Sequence, residues 1–367
     1  MHREAPVAIV LAPMISLQSY VCGQWTAGSG DPVALHDPST AEVIGDVRPG
    51  GVDFAASLDH ARDVGGPALR ALTFPQRGEI LKGISKVLHE HRDELIEIAG
   101  RNGGNTRGDA KFDLDGASGT LAYYAHLGKA MPTTPWMTDG EGTQLGRTAR
   151  FWAEHVQSPR PGVALHINAF NFPAWGMGEK LACSILAGMP VISKAGTASA
   201  MLAWRVSELI VASGLLPEGA FQFIPGSISA MTSLLEPMDV VAFTGSAKTG
   251  NRIRSNANCI EKSVRINIEA DSINSAVLGP DCDFDDDSFT QFIANLHTDM
   301  TQKAGQKCTA VRRVLVPSAR VHLLVRLFEE VGHATALVIV ERQQAQHGVV
   351  CGRGKGELLQ VVHPQLH

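Results

Sequence analysis

The residue types best suited to chemistry in this sequence are a cysteine, a glutamate, an asparagine and a lysine, each in a separate stretch. Cys308 falls in Gly305-Gln306-Lys307-Cys308-Thr309, a glycine-opened loop after a helix expected to end near Lys303. Lysines beside a thiol lower its pKa and raise the fraction of thiolate, the nucleophilic form. A lone cysteine is more often a small buried hydrophobe, and both readings stand at this point. Glu269 closes a short apolar run and reads either as a functional carboxylate or as a solvated one. Asn171 and Lys194 follow two further runs, at places where turn asparagines and strand-end lysines are common.

The elements that must position these residues are legible from periodicity. Short apolar runs bounded by turn residues fall at Val163–Ile167, Val191–Ser193, Phe221–Ile224, Val240–Phe243, Arg265–Ile268 and Ala276–Leu278. Helix-like stretches lie between the first five, near Glu179–Ala187, Ser199–Ser213, Ile228–Leu235 and Lys248–Asn256. Such alternation predicts a parallel sheet covered on both faces, with ligands bound beyond the carboxyl ends of its strands. Asn171, Lys194, the Thr244-Gly245-Ser246 cluster and Glu269 all follow strand ends. Upstream, apolar residues from Gln76 to Gly100 recur at helical spacing, with Gly103-Gly104 as the stop. Residues 131–162 read as an extended connection with a hairpin near Phe151-Trp152.

Composition narrows the field. Among 367 residues, Lys and Arg total 32 against 37 Asp and Glu, a net charge of −5 with no basic block, which argues against nucleic acid as a partner. The six cysteines show neither a C-x-x-C pair nor metal-ligand spacing, so no metal and no disulfide framework is expected. A reducing cytoplasm is the expected compartment, and no stretch is apolar enough to predict a membrane span. The dinucleotide fingerprint G-x-G-x-x-G is missing, since Gly176-Met177-Gly178 is followed by Leu181 where its third glycine belongs. Gly245-Ser246, opening a helix, still offers a place for a phosphate.

Taken together, Asn171-Phe172-Pro173, Lys194, Phe243-Thr244-Gly245-Ser246, Glu269 and Gly305-Gln306-Lys307-Cys308 occur in the order and spacing of the aldehyde dehydrogenase superfamily. The longer strings 168–176 and 269–274 resemble the branch acting on CoA-thioester semialdehydes in aromatic degradation. The resemblance runs from about Leu17 to about Glu330. It implies an aldehyde dehydrogenase-like α/β fold: a Rossmann-type parallel sheet with helices on both faces, plus an incomplete second α/β catalytic domain. It also implies NAD(P)-dependent oxidation of an aldehyde to an acid, with Cys308 as nucleophile, Asn171 holding the oxyanion and Glu269 as general base. By the same resemblance Lys194 reaches the adenosine ribose or its phosphate, while Gly226, Gly245 and Ser246 border the adenine and pyrophosphate. Thr197 stands where NAD-preferring members carry a glutamate, so NADP is expected to be accepted as well as NAD. Two departures are Ala195 in place of the proline after the lysine, and Ala270-Asp271 in place of a glycine pair.

The expected organisation is a leader or misassigned start over 1–16, an NAD(P)-binding domain over 17–278 and the start of a catalytic domain over 279–330. Residues 331–367 contain no Asp, Asn, Ser, Phe, Tyr or Trp, yet hold four of the 14 histidines. They are expected to be an unrelated tail, the frameshifted or otherwise broken end of a longer gene, with a genuine divergent C-terminal segment as the alternative. A small-molecule aldehyde, CoA-linked, and a homo-oligomer for full-length members are the partners the resemblance implies. The alternative is a catalytically inactive remnant of such an enzyme.

Overall fold

A computed structural model describes residues 14–283 and 285–317, together with the backbone of three strands at Val338–Glu341, Val349–Arg353 and Glu357–Val362. The expected leader and much of the expected tail lie outside the described residues. The chain divides into two units, Met1–Ala270 and Asp271–His367.

The first unit is built on a seven-stranded sheet. Its strands lie in the spatial order Arg265–Ala270, Val240–Gly245, Ala164–Ile167, Val191–Lys194, Phe221–Ile224, Ser19–Val21 and Gln24–Thr26. The first five are parallel, and the last two add antiparallel at one edge. Because successive strand residues face opposite ways, each strand feeds two cores. Ala164, Val191 and Phe223 join the larger cluster, which the helices Phe74–Glu90, Arg107–Ala130, Trp175–Leu186 and Ala200–Ala212 cover. Leu165, Ile192 and Ile224 enter the other cluster, with Leu58, Ile253 and Cys259. Both faces are apolar and both are covered, so the strands read as nearly continuous hydrophobic runs.

The expected elements appear with three changes. The pattern over Gln76–Gly100 is two helices, Phe74–Glu90 and Arg92–Gly103, broken where His91 leaves helical geometry (φ −97°, ψ 13°). Gly104, at φ 64°, ends the second, a left-handed position that glycine occupies without strain. The stretch near Ile228–Leu235 is a 3-10 helix, Ser229–Leu234. The strand expected at Ala276–Leu278 runs Asn274–Val277 and belongs to the second unit, pairing with Val311–Val316. In the connection over 131–162, Met137-Thr138 pairs with Val156-Gln157 and Thr143-Gln144 pairs with Trp152-Ala153.

The second unit carries a five-stranded sheet and the helix Asp287–Thr301. Its described core is small: Leu278, Phe289, Leu296, Met300, Val314 and Val316. Among the described residues of both units, no helix is long and apolar enough to cross a membrane.

Candidate active site

In the first unit, Asn171, Lys194, Thr244-Gly245-Ser246 and Glu269 sit at or just beyond the carboxyl ends of four parallel strands of one sheet. The strand order reverses between Ala164–Ile167 and Val240–Gly245, which makes their carboxyl ends the switch point where such sheets bind ligands.

Two of the strand-end loops are zipped together. The Asn168 main-chain N–H donates to the Lys194 carbonyl at 2.9 Å, and its side-chain amide donates to Ser193 Oγ at 3.1 Å. Ser199 Oγ donates to the Phe170 carbonyl at 2.6 Å. Gly196 lies so close that a Cβ there would stand 2.7 Å from Phe170 Cα. The turn bearing Asn171 and the turn bearing Thr197 are therefore tied to each other.

Beyond Asn171 the chain enters the helix Trp175–Leu186, whose first turn is capped by a residue distant in sequence. The buried Asp113 carboxylate accepts from the N–H groups of Ala174 at 3.3 Å and Trp175 at 2.8 Å, and a negative charge at a helix N-terminus is favourable. The Trp175 indole lies against Gly116, where a Cβ would stand 2.3 Å from the ring, and it donates to Thr120 Oγ1 at 3.0 Å. Edge-to-face contacts with Phe112 and Phe172 complete the support, with centroids at 5.4 and 5.8 Å. These supports are invisible in the local sequence around Asn171.

The same helix buries a histidine. His166 Nε2 is 2.9 Å from Ser184 Oγ, and desolvation, then the Lys180 charge, pushes the imidazole down to about 3. It is neutral at pH 7. Its Nδ1 and the Oδ1 of Asn168 have no partner among the described residues.

Burial also holds the Lys194 ammonium below its ordinary range. An anion placed beside it would offset that desolvation. Ser246 caps the helix Ala247–Arg254, accepting from Thr249 N at 3.3 Å. The first turn of that helix holds no acid and includes Lys248, so the helix brings no negative charge of its own to its positive end. Gly226 is buried, with Pro49 Cα 3.1 Å from the position of a Cβ. Glu269 is exposed and accepts from Thr244 Oγ1 at 3.4 Å, across a parallel register that pairs the two residues. The chemistry of these groups fits a dinucleotide: its phosphates are anions, and a lysine and a helix N-terminus both lie at this edge of the sheet.

In the second unit, Cys308 is exposed, which removes the buried-hydrophobe reading. The lysine beside it has partners of its own. Lys307 Nζ is spent on Asp299 at 2.7 Å and on Gln302 Oε1 at 3.0 Å, and its side chain is only 7% exposed. Lys303 is buried. The loop is pegged along its length. Arg312, skipped in the register between Asn274↔Val311 and Ser275↔Arg313, sends Nη2 to the Gly305 carbonyl at 2.7 Å. Asp299 also accepts from Val311 N at 2.6 Å. Ser272 Oγ and Asn274 Nδ2 both donate to the Cys308 carbonyl, and the same amide donates to the Ala310 carbonyl at 3.2 Å. No role was assigned to these two residues from the sequence. Their i, i+2 spacing on an extended segment is the one local signal that they share a side.

A doubly wound α/β unit with polar residues at its carboxyl edge thus accompanies a unit presenting a pegged, exposed cysteine. The chain belongs to the aldehyde dehydrogenase family, whose pattern it matches over residues 25–350, beyond the Glu330 limit read from the sequence. It is 45% identical over 304 residues to the 3,4-dehydroadipyl-CoA semialdehyde dehydrogenase of Aromatoleum evansii, covering 83% of this chain and 59% of that protein. It is 25% identical over 305 residues to the succinate-semialdehyde dehydrogenase [NADP(+)] of Escherichia coli, covering 82% of this chain and 59% of that protein. The fold matches crystalline lactaldehyde dehydrogenase from Escherichia coli with a TM-score of 0.76 at 22% identity, covering 88% of this chain and 65% of that one. The chain thus spans about three fifths of the length of these two curated relatives.

Proposed function

We propose that the protein oxidises an aldehyde to an acid, with NADP or NAD as acceptor, and that the aldehyde is a CoA-thioester semialdehyde of aromatic catabolism. The observation that carries this reading is the set of Asn171, Lys194, Ser246 and Glu269 at the carboxyl edge of one parallel sheet, in a chain whose Cys308 is exposed. The substrate class rests on the 45% identity to a relative named for such a semialdehyde.

In this mechanism the Cys308 thiolate attacks the aldehyde carbon and forms a tetrahedral thiohemiacetal whose oxygen carries the negative charge. The Asn171 amide and the Cys308 main-chain N–H donate to that oxygen; removing one such donor raises the barrier by about 2.7–4 kcal/mol. The chemistry a bound nicotinamide supplies is acceptance of the hydride released as the adduct collapses. Collapse leaves the acyl group as a thioester on Cys308 sulfur. Glu269 then takes a proton from water, the hydroxide equivalent attacks the thioester, and the acid departs as the thiol is restored. A carboxylate base favours hydrolysis over transfer to free CoA, so CoA is carried by the substrate and not consumed. Lys194, Thr197, Gly226, Gly245 and Ser246 would hold the dinucleotide.

The test is to incubate the chain and its Glu269→Gln variant with NADP+ and a CoA semialdehyde, following reduced dinucleotide and the mass of the Cys308 peptide. The expected result is NADPH formation by the parent and an acyl adduct trapped on Cys308 in the variant. Neither product appearing would overturn the reading in favour of a non-catalytic remnant. Thr197 gives a separate check on the acceptor. Thr197→Glu places a carboxylate where a 2′-phosphate would lie, and NADP+ affinity is expected to fall about tenfold or more while NAD+ affinity is retained.

A further inference from the structure

We propose that Ser272 and Asn274 are positioning residues for the Cys308 side chain, acting through the Cys308 carbonyl and touching neither aldehyde nor dinucleotide. The proposal rests on Cys308 being the nucleophile. A carbonyl oxygen has two lone pairs, and that of Cys308 receives two side-chain donors, the Ser272 hydroxyl and the Asn274 amide. The amide shares its two hydrogens among three acceptors: Cys308 O, Ala310 O at 3.2 Å and Ser272 Oγ at 3.3 Å. It therefore spans the turn from 308 to 310 and ties both ends of it to the strand Asn274–Val277. The direction in which the Cys308 Cα–Cβ bond leaves the chain follows from that turn, because neighbouring peptide planes share the Cα between them.

The clamp has an electrostatic side as well. Donors on a carbonyl offset its negative end, whereas a bare carbonyl beside a forming thiolate disfavours the anion. Besides Asp271, which precedes Ser272 in the chain, the charged groups on the loop and its pegs are Lys303, Lys307 with Asp299, and Arg312 on the Gly305 carbonyl. All are left intact when Ser272 or Asn274 is replaced, so any change in thiol behaviour reports the clamp.

The experiment is alkylation by iodoacetamide across pH, read by mass spectrometry of each cysteine peptide, on the parent chain and on Asn274→Ala, Asn274→Asp and Ser272→Ala/Asn274→Ala. Exposed Cys22 and Cys183 report the reagent, and half-buried Cys282, packed on the Leu278 and Phe289 cluster, reports the integrity of the second unit. The Cys308 midpoint is expected to rise by about half a pH unit in Asn274→Ala, a slowing of about threefold near neutral pH, and by more in Asn274→Asp, which adds a negative charge. Cys282 is expected to keep its parent rate. An unchanged Cys308 profile in the double variant overturns the proposal. So does a parallel acceleration at Cys282, which marks a purely structural role. Alkylation needs neither aldehyde nor dinucleotide, so failure of the oxidation assay and failure of the clamp are separate results.

Discussion

The loops 168–171 and 305–310 carry comparable burdens but are held by different forces. The first lies over a sheet sandwiched between two large apolar clusters and is joined to its neighbour by a main-chain hydrogen bond and the close approach of Gly196, with the Asn168 and Ser199 side chains adding to these. The second belongs to a unit with a six-residue described core, and side-chain pegs from Ser272, Asn274, Asp299 and Arg312 fix it in place. A loop fixed by backbone and apolar packing tolerates the loss of one polar side chain. A loop fixed by pegs does not.

The sharpest way to break this contrast is Asp299→Ala. It strips the partner from a Lys307 side chain only 7% exposed and removes the acceptor of Val311 N. Leaving such an ion with no countercharge and only Gln302 as partner costs at the lower end of about 3–5 kcal/mol, so calorimetry is expected to show the second unit melting earlier; an unchanged profile would dissolve the distinction. A smaller effect comes from acid, acting on the first unit. Folded His166 titrates at about 3, below the ordinary imidazole value of about 6.5. Between those values the unfolded chain binds the extra proton, so stability is complete above about 6.5 and drains away as pH falls toward 3. By pH 4 the loss is on the order of 2–3 kcal/mol, measurable by urea titration, and His166→Gln is expected to flatten it. The least effect is expected from Ser199→Ala. It removes one hydrogen bond to Phe170 O while the Asn168 to Lys194 link persists, a loss of about 1 kcal/mol. A loss as large as that of Asp299→Ala would show that the first loop is peg-dependent too.

Much of the first unit could be read from periodicity, because its parallel strands are bounded by turn residues and buried on both faces. Strands at 164–167, 191–194, 221–224, 240–245 and 265–270 lie within a residue or two of expectation. The helix Arg107–Ala130 escaped notice, although it is 24 residues long. Its buried face is made of Ala110, Asp113, Leu114, Ala117, Leu121, Ala125 and Gly128, a helical period written mostly in small residues. Small residues are used there because neighbours press close: a Cβ at Gly128 would stand 3.0 Å from the Phe74 carbonyl. Hydrophobic periodicity cannot register such a face. The strand-end residues of the candidate site were legible because sheet topology dictates where to look. The pegs on Cys308 were not, since Ser272 and Asn274 are separated from it by 36 and 34 positions and only the folded chain closes that gap.

Gly196 has an implication for anyone who wishes to re-engineer acceptor preference. With Phe170 Cα 2.7 Å from where a methyl carbon at 196 would stand, even the smallest substitution beside the proposed dinucleotide site pushes directly on the turn that presents Asn171. A mutant library that randomises 196 along with Thr197 would therefore confound altered dinucleotide choice with a displaced amide, and variation is best confined to Thr197.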